Sequence, residues 1–208
     1  ASRFLMTAGS KKDIALGAIA DALCENCEEI LAANKIDLEN GEKSGLTASL
    51  LDRLRLSEER INGMADGVRQ VAALPDPVGR ILDGRTLKNG LQIEKVTVPM
   101  GVIGIIFEAR PNVTSDAAAL CLKAGSAVIL RGGKEAFHSN MAIARVMRDA
   151  LEKAGFPRDC VALVEDTTRQ SATELMQLSD YLYVLIPRGG AGLIKSVVEN
   201  AKVPVIET

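Results

Sequence analysis

The sequence predicts a doubly wound α/β fold, in which helices cover a parallel sheet on both faces. Beyond Pro99, short apolar segments alternate with segments of helical periodicity. Strands that are joined by helices need right-handed crossovers, which make the sheet parallel and bury both of its sides. The five predicted strands are residues 102–107, 127–130, 161–164, 184–186 and 203–206, and the helices between them are residues 113–124, 140–154, 171–178 and 193–200.

Helices are also predicted before this alternation begins. Residues 13–34 place apolar side chains three or four positions apart, which is typical of a helix with one buried face. Ser57 is a good N-cap for a second helix, because acidic residues follow it in the first turn and Pro75 comes after the last apolar position. Neither helix carries residues typical of a functional site.

The segment from 75 to 98 has the pattern of a small antiparallel meander. Asp83-Gly84 and Asn89-Gly90 are dipeptides that favour hairpin turns, and the flanking residues alternate between apolar and polar. Such an arm with an exposed edge is either a plain surface hairpin or a device for pairing with another subunit.

The composition excludes several classes of function. The chain of 208 residues has 25 Lys and Arg against 27 Asp and Glu, and no basic run with interleaved aromatics, so nucleic-acid binding is not expected. The apolar runs are far shorter than the ~20 residues of a membrane span, and the first residues lack the apolar core of a signal peptide. These observations predict a cytoplasmic protein without a membrane partner.

The four cysteines do not indicate a disulfide framework, a metal site or a nucleophile. Cys24 and Cys27 lie within a helical pattern and have no second Cys or His pair, so no metal ligand set is predicted. Cys121 falls inside a predicted helix and Cys160 at the start of a strand, where packed thiols are expected. His138, the single histidine, has no G-x-S-x-G motif to accompany it.

In a doubly wound sheet, ligands bind beyond the carboxyl ends of the strands. Two of the loops expected there join paired glycines to cations, a combination that suits phosphate groups: Arg131-Gly132-Gly133-Lys134 and Arg188-Gly189-Gly190. These loops favour a ligand that carries a polyphosphate. Neither loop matches the usual dinucleotide or P-loop motif, so the glycines could instead serve only to turn the chain.

Arg131 bears on the choice between NAD and NADP. It ends the second strand of the predicted unit, where NAD-binding folds place an acid on the ribose hydroxyl. An arginine there, followed by Lys134, would pair with a 2′-phosphate and favours NADP. The alternative is a solvated surface cation.

Three long motifs carry a resemblance to a known family. They are VPMGVIGIIFEARPNVT (98–114), AVILRGGKE (127–135) and LIPRGGAGL (185–193). The chain resembles the gamma-glutamyl phosphate reductases (glutamate-5-semialdehyde dehydrogenases) of the aldehyde dehydrogenase superfamily, over about the first half of a typical member. The resemblance implies NADPH-dependent reduction of L-glutamate 5-phosphate to L-glutamate 5-semialdehyde and phosphate, a step of proline biosynthesis. In that family a cysteine thiolate displaces phosphate, and hydride transfer to the resulting thioester frees the aldehyde.

The resemblance also implies roles for individual residues. Asn112 matches the asparagine whose amide donates to the developing oxyanion, although its position would also suit a helix cap. Glu207 matches the glutamate that activates water in hydrolytic relatives, a role that an acyl-phosphate reductase would not use. The family's catalytic cysteine would lie beyond Thr208. The residues matched to the cofactor are Arg131, Gly132, Gly133, Lys134 and Glu135 at the adenosine ribose, and Pro187, Arg188, Gly189 and Gly190 at the pyrophosphate and nicotinamide.

These inferences predict a chain of three parts: helices of the cofactor domain (1–78), an antiparallel oligomerisation arm (79–98) and a dinucleotide-binding α/β core (99–208), with the catalytic domain absent. The arm implies a homo-oligomer, and association with glutamate 5-kinase is left open. The isolated chain is expected to be inactive. Two alternatives remain, a nucleotide-binding module without catalysis and an ordinary aldehyde dehydrogenase.

Overall fold

The computed structural model describes residues 9–207. Four helices come first, followed by a two-stranded hairpin and then by alternating strands and helices. The helices are α1 (Gly9–Glu25), α2 (Cys27–Lys43), α3 (Ala48–Leu54), α4 (Glu58–Ala73), α5 (Asn112–Lys123), α6 (Phe137–Lys153), α7 (Arg169–Gln177) and α8 (Ala191–Asn200). The strands are β1 (Ile81–Thr86), β2 (Gln92–Val96), β3 (Val102–Phe107), β4 (Ala127–Arg131), β5 (Val161–Leu163) and β6 (Val184–Arg188). Among these helices, none is long and apolar enough to cross a membrane.

The main sheet has four parallel strands in the order β5-β4-β3-β6, which confirms the predicted α/β class. Four of the five predicted strands form it. The fifth, predicted at 203–206, is reduced to a single parallel bridge between Leu185 and Val205. That bridge consists of two backbone bonds, from the Leu185 N–H to the Pro204 carbonyl oxygen and from the Ile206 N–H to the Leu185 carbonyl oxygen.

Helices cover both faces of the sheet, and the side chains of β3 show how the faces divide. Ile105 and Phe107 belong to the large core formed with α1, α4, α5 and α6. Ile106 is fully buried on the opposite face, in a smaller core with residues of α7 and α8 such as Leu175 and Val197. This alternation is what a strand buried on both sides requires, and it explains why its sequence is apolar throughout.

The N-terminal helix differs from the prediction. Residues 13–34 were expected to form one helix, but α1 and α2 are separated at Asn26, whose backbone is not helical. The Asn26 side chain donates to the carbonyl oxygen of Ala22 at 2.8 Å, and such local bonding competes with helix continuation. The short helix α3, capped by Thr47, was not predicted because seven residues are too few to show a period.

The predicted meander is a single hairpin of β1 and β2, with every residue of both strands exposed. Asn89-Gly90 forms its turn, and Gly90 adopts the positive φ of 86° that this turn needs. The turn predicted at Asp83-Gly84 is wrong, since Gly84 lies inside β1 opposite Glu94. Gly84 is paired in regular register, and the irregularity of the ladder lies before it, between Ile81 and Asp83.

Candidate functional site

The strand order fixes where a ligand can bind. The chain proceeds from β3 outward to β4 and β5, and then returns to place β6 on the other side of β3. The connections after β3 and β6 therefore leave the sheet in opposite directions and open a crevice at the carboxyl ends of these strands. Arg131 and Arg188 lie opposite Ile106 and Phe107 in the strand register, so they flank this edge on either side of β3.

A cleft of about 550 Å³ occupies this crevice. The loop after β3 and the loop after β6 form one side of it, through Glu108, Arg110, Arg188 and Gly190, and Glu135 comes from the loop after β4. The opposite side comes from the segment around α3, which the sequence did not mark as functional. Its residues in the cleft are Leu46, Leu50 and Arg53.

The N-terminus of α8 opens into this cleft, with Gly190 at its N-cap position. The Gly190 N–H donates to Oε2 of Glu108 at 3.0 Å, so a carboxylate occupies the anion-binding position at the start of the helix. A Cβ on Gly189 would lie 2.7 Å from Cδ of Glu108 and 2.8 Å from Leu193. Glycine at 189 is thus needed for the close approach of Glu108 to the helix.

Arg131 is tied into the protein rather than free in solvent. Its Nη2 donates to the carbonyl oxygens of Thr167 and Thr168, both at 2.8 Å, and its Nε is buried without a partner among the described residues. Burial lowers the pKa of Arg131, while the charges of Glu135 and Asp166 oppose that shift. The guanidinium therefore fixes the β5–α7 loop against β4 and keeps part of its hydrogen-bonding capacity for other groups.

The rest of the loop after β4 has mixed properties. Gly132 is buried, and a Cβ there would lie 2.2 Å from Nδ2 of Asn140 and 3.1 Å from Phe107, so packing alone demands glycine. At Gly133 the tightest contact would be the flexible carboxylate of Glu135, at 2.7 Å. Lys134 is exposed and carries a charge that no described residue pairs.

Asn112 is the first residue of α5, and its side chain does not cap the helix, since Pro111 holds the N-cap position. The Asn112 Nδ2 donates instead to Oδ2 of Asp116, one turn later, at 2.9 Å. Burial raises the pKa of Asp116, and the bond from Asn112 and the charge of Arg188 oppose the rise. A half-buried carboxylate therefore holds the Asn112 amide in one orientation and leaves its second N–H available.

Three of the four cysteines, Cys27, Cys121 and Cys160, have raised pKa values. Burial raises the pKa of Cys121 to about 12, and burial also raises the pKa of Cys160. The pKa of Cys27 is raised by burial and by neighbouring acids and Cys24. A thiol needs a lowered pKa to be a ready nucleophile near neutral pH, so the prediction of packed thiols fits their surroundings.

The structure brings only some of the predicted site residues together. Glu135, Arg188, Gly189 and Gly190 line the cleft, whereas Asn112 lines an adjoining cavity. Arg131, Gly132, Gly133 and Lys134 lie outside the lining, and Pro187 is buried in β6 beside Ile106. Sequence reasoning missed Arg53, Leu46 and Leu50, because only the folded chain carries the region of α3 to the sheet edge.

Comparisons with known proteins agree with this geometry. The sequence matches the profile described as "Aldehyde dehydrogenase family" over residues 7–203. It is 59% identical to the gamma-glutamyl phosphate reductase of Moorella thermoacetica over 100% of this chain and 50% of that protein. The chain therefore spans about half the length of the curated relatives it matches.

Two crystal structures of proteins with the same name have closely similar folds. The gamma-glutamyl phosphate reductase of Thermotoga maritima superposes with a TM-score of 0.98 at 43% identity, covering 100% of this chain and 50% of the other. That of Saccharomyces cerevisiae gives a TM-score of 0.90 at 35% identity, covering 98% of this chain and 52% of the other. The chain belongs to the aldehyde dehydrogenase family and corresponds to the N-terminal half of proteins named gamma-glutamyl phosphate reductase.

Proposed function

We propose that this chain is the cofactor-binding half of an NADPH-dependent reductase that converts L-glutamate 5-phosphate into L-glutamate 5-semialdehyde and phosphate. The observation that carries the proposal is the cleft at the reversal of strand order, lined by Arg188, Gly189 and Gly190. The substrate is inferred from the names of the relatives, and the cleft is the proposed binding site of the cofactor.

The residues in the cleft fit an anionic cofactor. The Gly190 N–H already binds a carboxylate oxygen of Glu108, and a phosphate oxygen has the same requirement for a donor at the start of α8. Arg53, Arg110 and Arg188 outnumber the carboxylates Glu108 and Glu135 in the cleft, so a phosphate would enter a net positive environment. Glu108 would give up its place on Gly190 when a pyrophosphate binds there.

The 2′-phosphate of NADPH would be read at the loop after β4. Arg131 uses Nη2 on the carbonyls of Thr167 and Thr168, so it offers a fixed charge with limited remaining donors. Lys134, three residues further along and exposed, supplies a charge that is free to move onto a phosphate. These two cations together are the basis for a preference for NADPH over NADH.

When bound, the nicotinamide supplies the hydride. This chain's contribution to the chemistry is Asn112, whose amide would donate a hydrogen bond to the negative charge that develops on the acyl oxygen. Cys121 and Cys160 are buried thiols, and Cys24 and Cys27 lie on helices α1 and α2, so we place the nucleophile of the proposed reaction in the half of the relatives that this chain does not span.

Calorimetric titration of NADPH and NADH into the protein tests the proposal. We expect tighter binding of NADPH, and we expect Lys134→Gln to reduce the difference between the two cofactors without changing NADH affinity. Arg131→Ala should remove the preference as well, but it also releases the β5–α7 loop, so Lys134→Gln is the cleaner variant. Equal affinity for the two cofactors in the unaltered protein would refute the NADPH assignment, and absence of binding would refute the cofactor site.

The hairpin β1–β2 is proposed to pair with another copy of the protein. The hairpin exposes apolar side chains that a monomer would leave in water, including Ile81, Leu82, Leu91 and Ile93. A homo-oligomer built on this arm would cover them. Association with glutamate 5-kinase and a cytoplasmic location stay predictions.

A further inference from the structure

A second cavity, of about 430 Å³, lies beside the cofactor cleft. It is open to solvent, and its lining comes from the end of α3, the segment that joins α3 to α4, the first half of α4, and Arg110 with the start of α5. Asn112 and Asp116 line it from α5, and Met64 lines it from α4. The residue expected to contact the reacting atoms is therefore in this cavity and not in the cofactor cleft.

The cavity is strongly cationic. Four arginines and two aspartates line it. One of these arginines, Arg60, is hydrogen-bonded to neighbouring residues of the chain. The Nη1 of Arg60 donates to the carbonyl oxygens of Asp52 and Arg55, both at 2.6 Å, and its Nη2 donates to Oδ1 of Asp52 at 3.1 Å. Arg60 and Asp52 thus form an exposed ion pair within the lining of the cavity.

The other three arginines are different. The guanidinium groups of Arg53, Arg55 and Arg110 make no hydrogen bond or ion pair with any residue between 9 and 207. Three unpaired positive charges around one small cavity repel one another, and an anionic ligand would relieve that repulsion. Guanidinium groups are also well suited to binding carboxylate and phosphate with two parallel hydrogen bonds.

The positions of these arginines divide the cavity in two. Arg53 and Arg110 line both the cofactor cleft and the second cavity, so they lie at the border between them. Arg55 lines only the second cavity, away from the cofactor. Arg188, which lines the cofactor cleft, also acts on Asp116: its positive charge opposes the rise in the pKa of Asp116 that burial causes.

We propose that the second cavity binds the doubly anionic substrate end to end, with Arg53 and Arg110 receiving the phosphoryl group at the border and Arg55 receiving the distal carboxylate. This inference rests on the proposed function. It follows from where the chemistry must occur: the acyl carbon has to meet both the Asn112 amide and the cofactor, so the phosphoryl group attached to that carbon lies at the border. The carboxylate at the far end of the short carbon chain then points toward Arg55.

The reverse reaction separates the two anionic groups, because aldehyde and inorganic phosphate are then distinct substrates. The aldehyde carbon is oxidised and becomes bonded to phosphate, while NADP⁺ is reduced to NADPH and a proton is released. KM values can therefore be measured for each anion in the full-length protein with the variants Arg55→Gln and Arg110→Gln.

We expect Arg55→Gln to raise the KM for glutamate 5-semialdehyde about tenfold or more and to leave the KM for phosphate within about twofold, since it removes a charge-assisted hydrogen bond to one anion only. Arg110→Gln should raise the KM for phosphate instead. With an uncharged aldehyde of similar length, Arg55→Gln should match the unaltered protein. Lys35→Gln, which removes an exposed charge that lines neither the cofactor cleft nor the second cavity, should change neither KM.

The outcomes distinguish this inference from the function on which it rests. If the unaltered protein showed no phosphate-dependent oxidation of the aldehyde, the proposed reaction itself would be wrong and the inference would fall with it. If the unaltered protein were active and Arg55→Gln raised the KM for charged and uncharged aldehydes equally, the reaction would stand and the carboxylate site would be overturned. Melting curves of the variants should coincide with that of the unaltered protein, because these guanidinium groups make no bonds within the described fold.

Discussion

The cations around α1 and those around the second cavity have opposite surroundings. Lys12 is 1% exposed, and its Nζ donates to Oδ1 of Asp76 at 2.8 Å and to the carbonyl oxygen of Lys123 at 3.1 Å. Lys123 is also buried, and it bonds to Asp13 and to the carbonyl of Ala72. Arg53, Arg55 and Arg110, by contrast, are exposed and unpaired within the described chain.

This difference separates charges that stabilise the fold from charges that we propose bind a ligand. A buried ammonium is tolerated only when acceptors replace its lost hydration, so Lys12 and Lys123 are surrounded by carboxylates and carbonyl oxygens. They fasten α1 and α5 to the segment just before the hairpin. Arginines that line a cavity without partners keep their hydrogen-bonding capacity for a molecule that is not part of the chain.

Asn112→Ala is expected to have the largest effect, and on activity alone. Losing one donor to a developing oxyanion costs about 3 to 4 kcal/mol of barrier stabilisation, which is about a hundredfold or more in turnover. Steady-state kinetics of the full-length protein would show this, with NADPH affinity barely changed. An unaltered turnover would remove Asn112 from the mechanism.

The matched control for this variant is Asn34→Ala. Asn34 is a buried asparagine, and its side chain bonds to the carbonyl of Leu54, to Ser139 Oγ and to the N–H of Leu56. These bonds join α2 to the α3–α4 segment and to α6, so the variant should lower the melting temperature while turnover per folded molecule is retained. A lowered melting temperature with normal turnover for Asn112→Ala, or lost turnover with a normal melting temperature for Asn34→Ala, would contradict these assignments.

Asp76→Ala tests the charges that build the fold. The variant leaves the buried ammonium of Lys12 without its carboxylate, and we expect the free energy of unfolding to fall by about 3 kcal/mol. Urea unfolding at neutral pH measures this. Asp66→Ala is the control, since the ion pair of Asp66 with Arg69 is exposed and should matter much less.

The effect of Asp76 should also depend on pH. Burial raises the pKa of Asp76, but hydrogen bonds from Lys12 and from the Val78 N–H, together with the charge of Lys12, leave that pKa below its usual value. A carboxyl whose pKa is lower in the folded protein stabilises the fold above the pKa of the unfolded chain, about 4. That stabilisation is lost as the pH falls through the lowered pKa. The difference in the free energy of unfolding between the unaltered protein and Asp76→Ala should therefore shrink in acid. A difference that stayed constant down to strongly acidic pH would contradict the assignment.

The smallest effects are expected within the second cavity, where two neighbouring arginines can be compared. Arg60→Gln breaks three hydrogen bonds at a largely exposed position and should lower the free energy of unfolding by up to about 1 kcal/mol. Arg55→Gln breaks none and should stay within about 0.5 kcal/mol of the unaltered protein. Chemical denaturation of both variants checks this. A larger loss for Arg55→Gln than for Arg60→Gln would mean that Arg55 is a structural residue.

Much of the fold could be predicted because it depends on local patterns. The apolar segments at 102–107, 127–130, 161–164 and 184–186 identify the strands, and the helical spacing between them makes the sheet parallel. Two errors had local causes that only coordinates reveal. Asn26 bonds back to Ala22 and divides one predicted helix, and Gly84 pairs with Glu94 inside β1 where a turn was expected.

By itself, the sequence determined the α/β class and the family, because periodicity and contiguous motifs are properties of the chain. Only the tertiary structure decided which charges are free. Arg131 was predicted as a ligand-binding cation, and its Nη2 donates to two carbonyl oxygens 36 and 37 residues away. Arg53 and Arg55 belong to no motif, and they line the second cavity without a partner among the described residues. Whether a charge has a partner depends on groups distant in sequence, and folding alone brings those groups into contact.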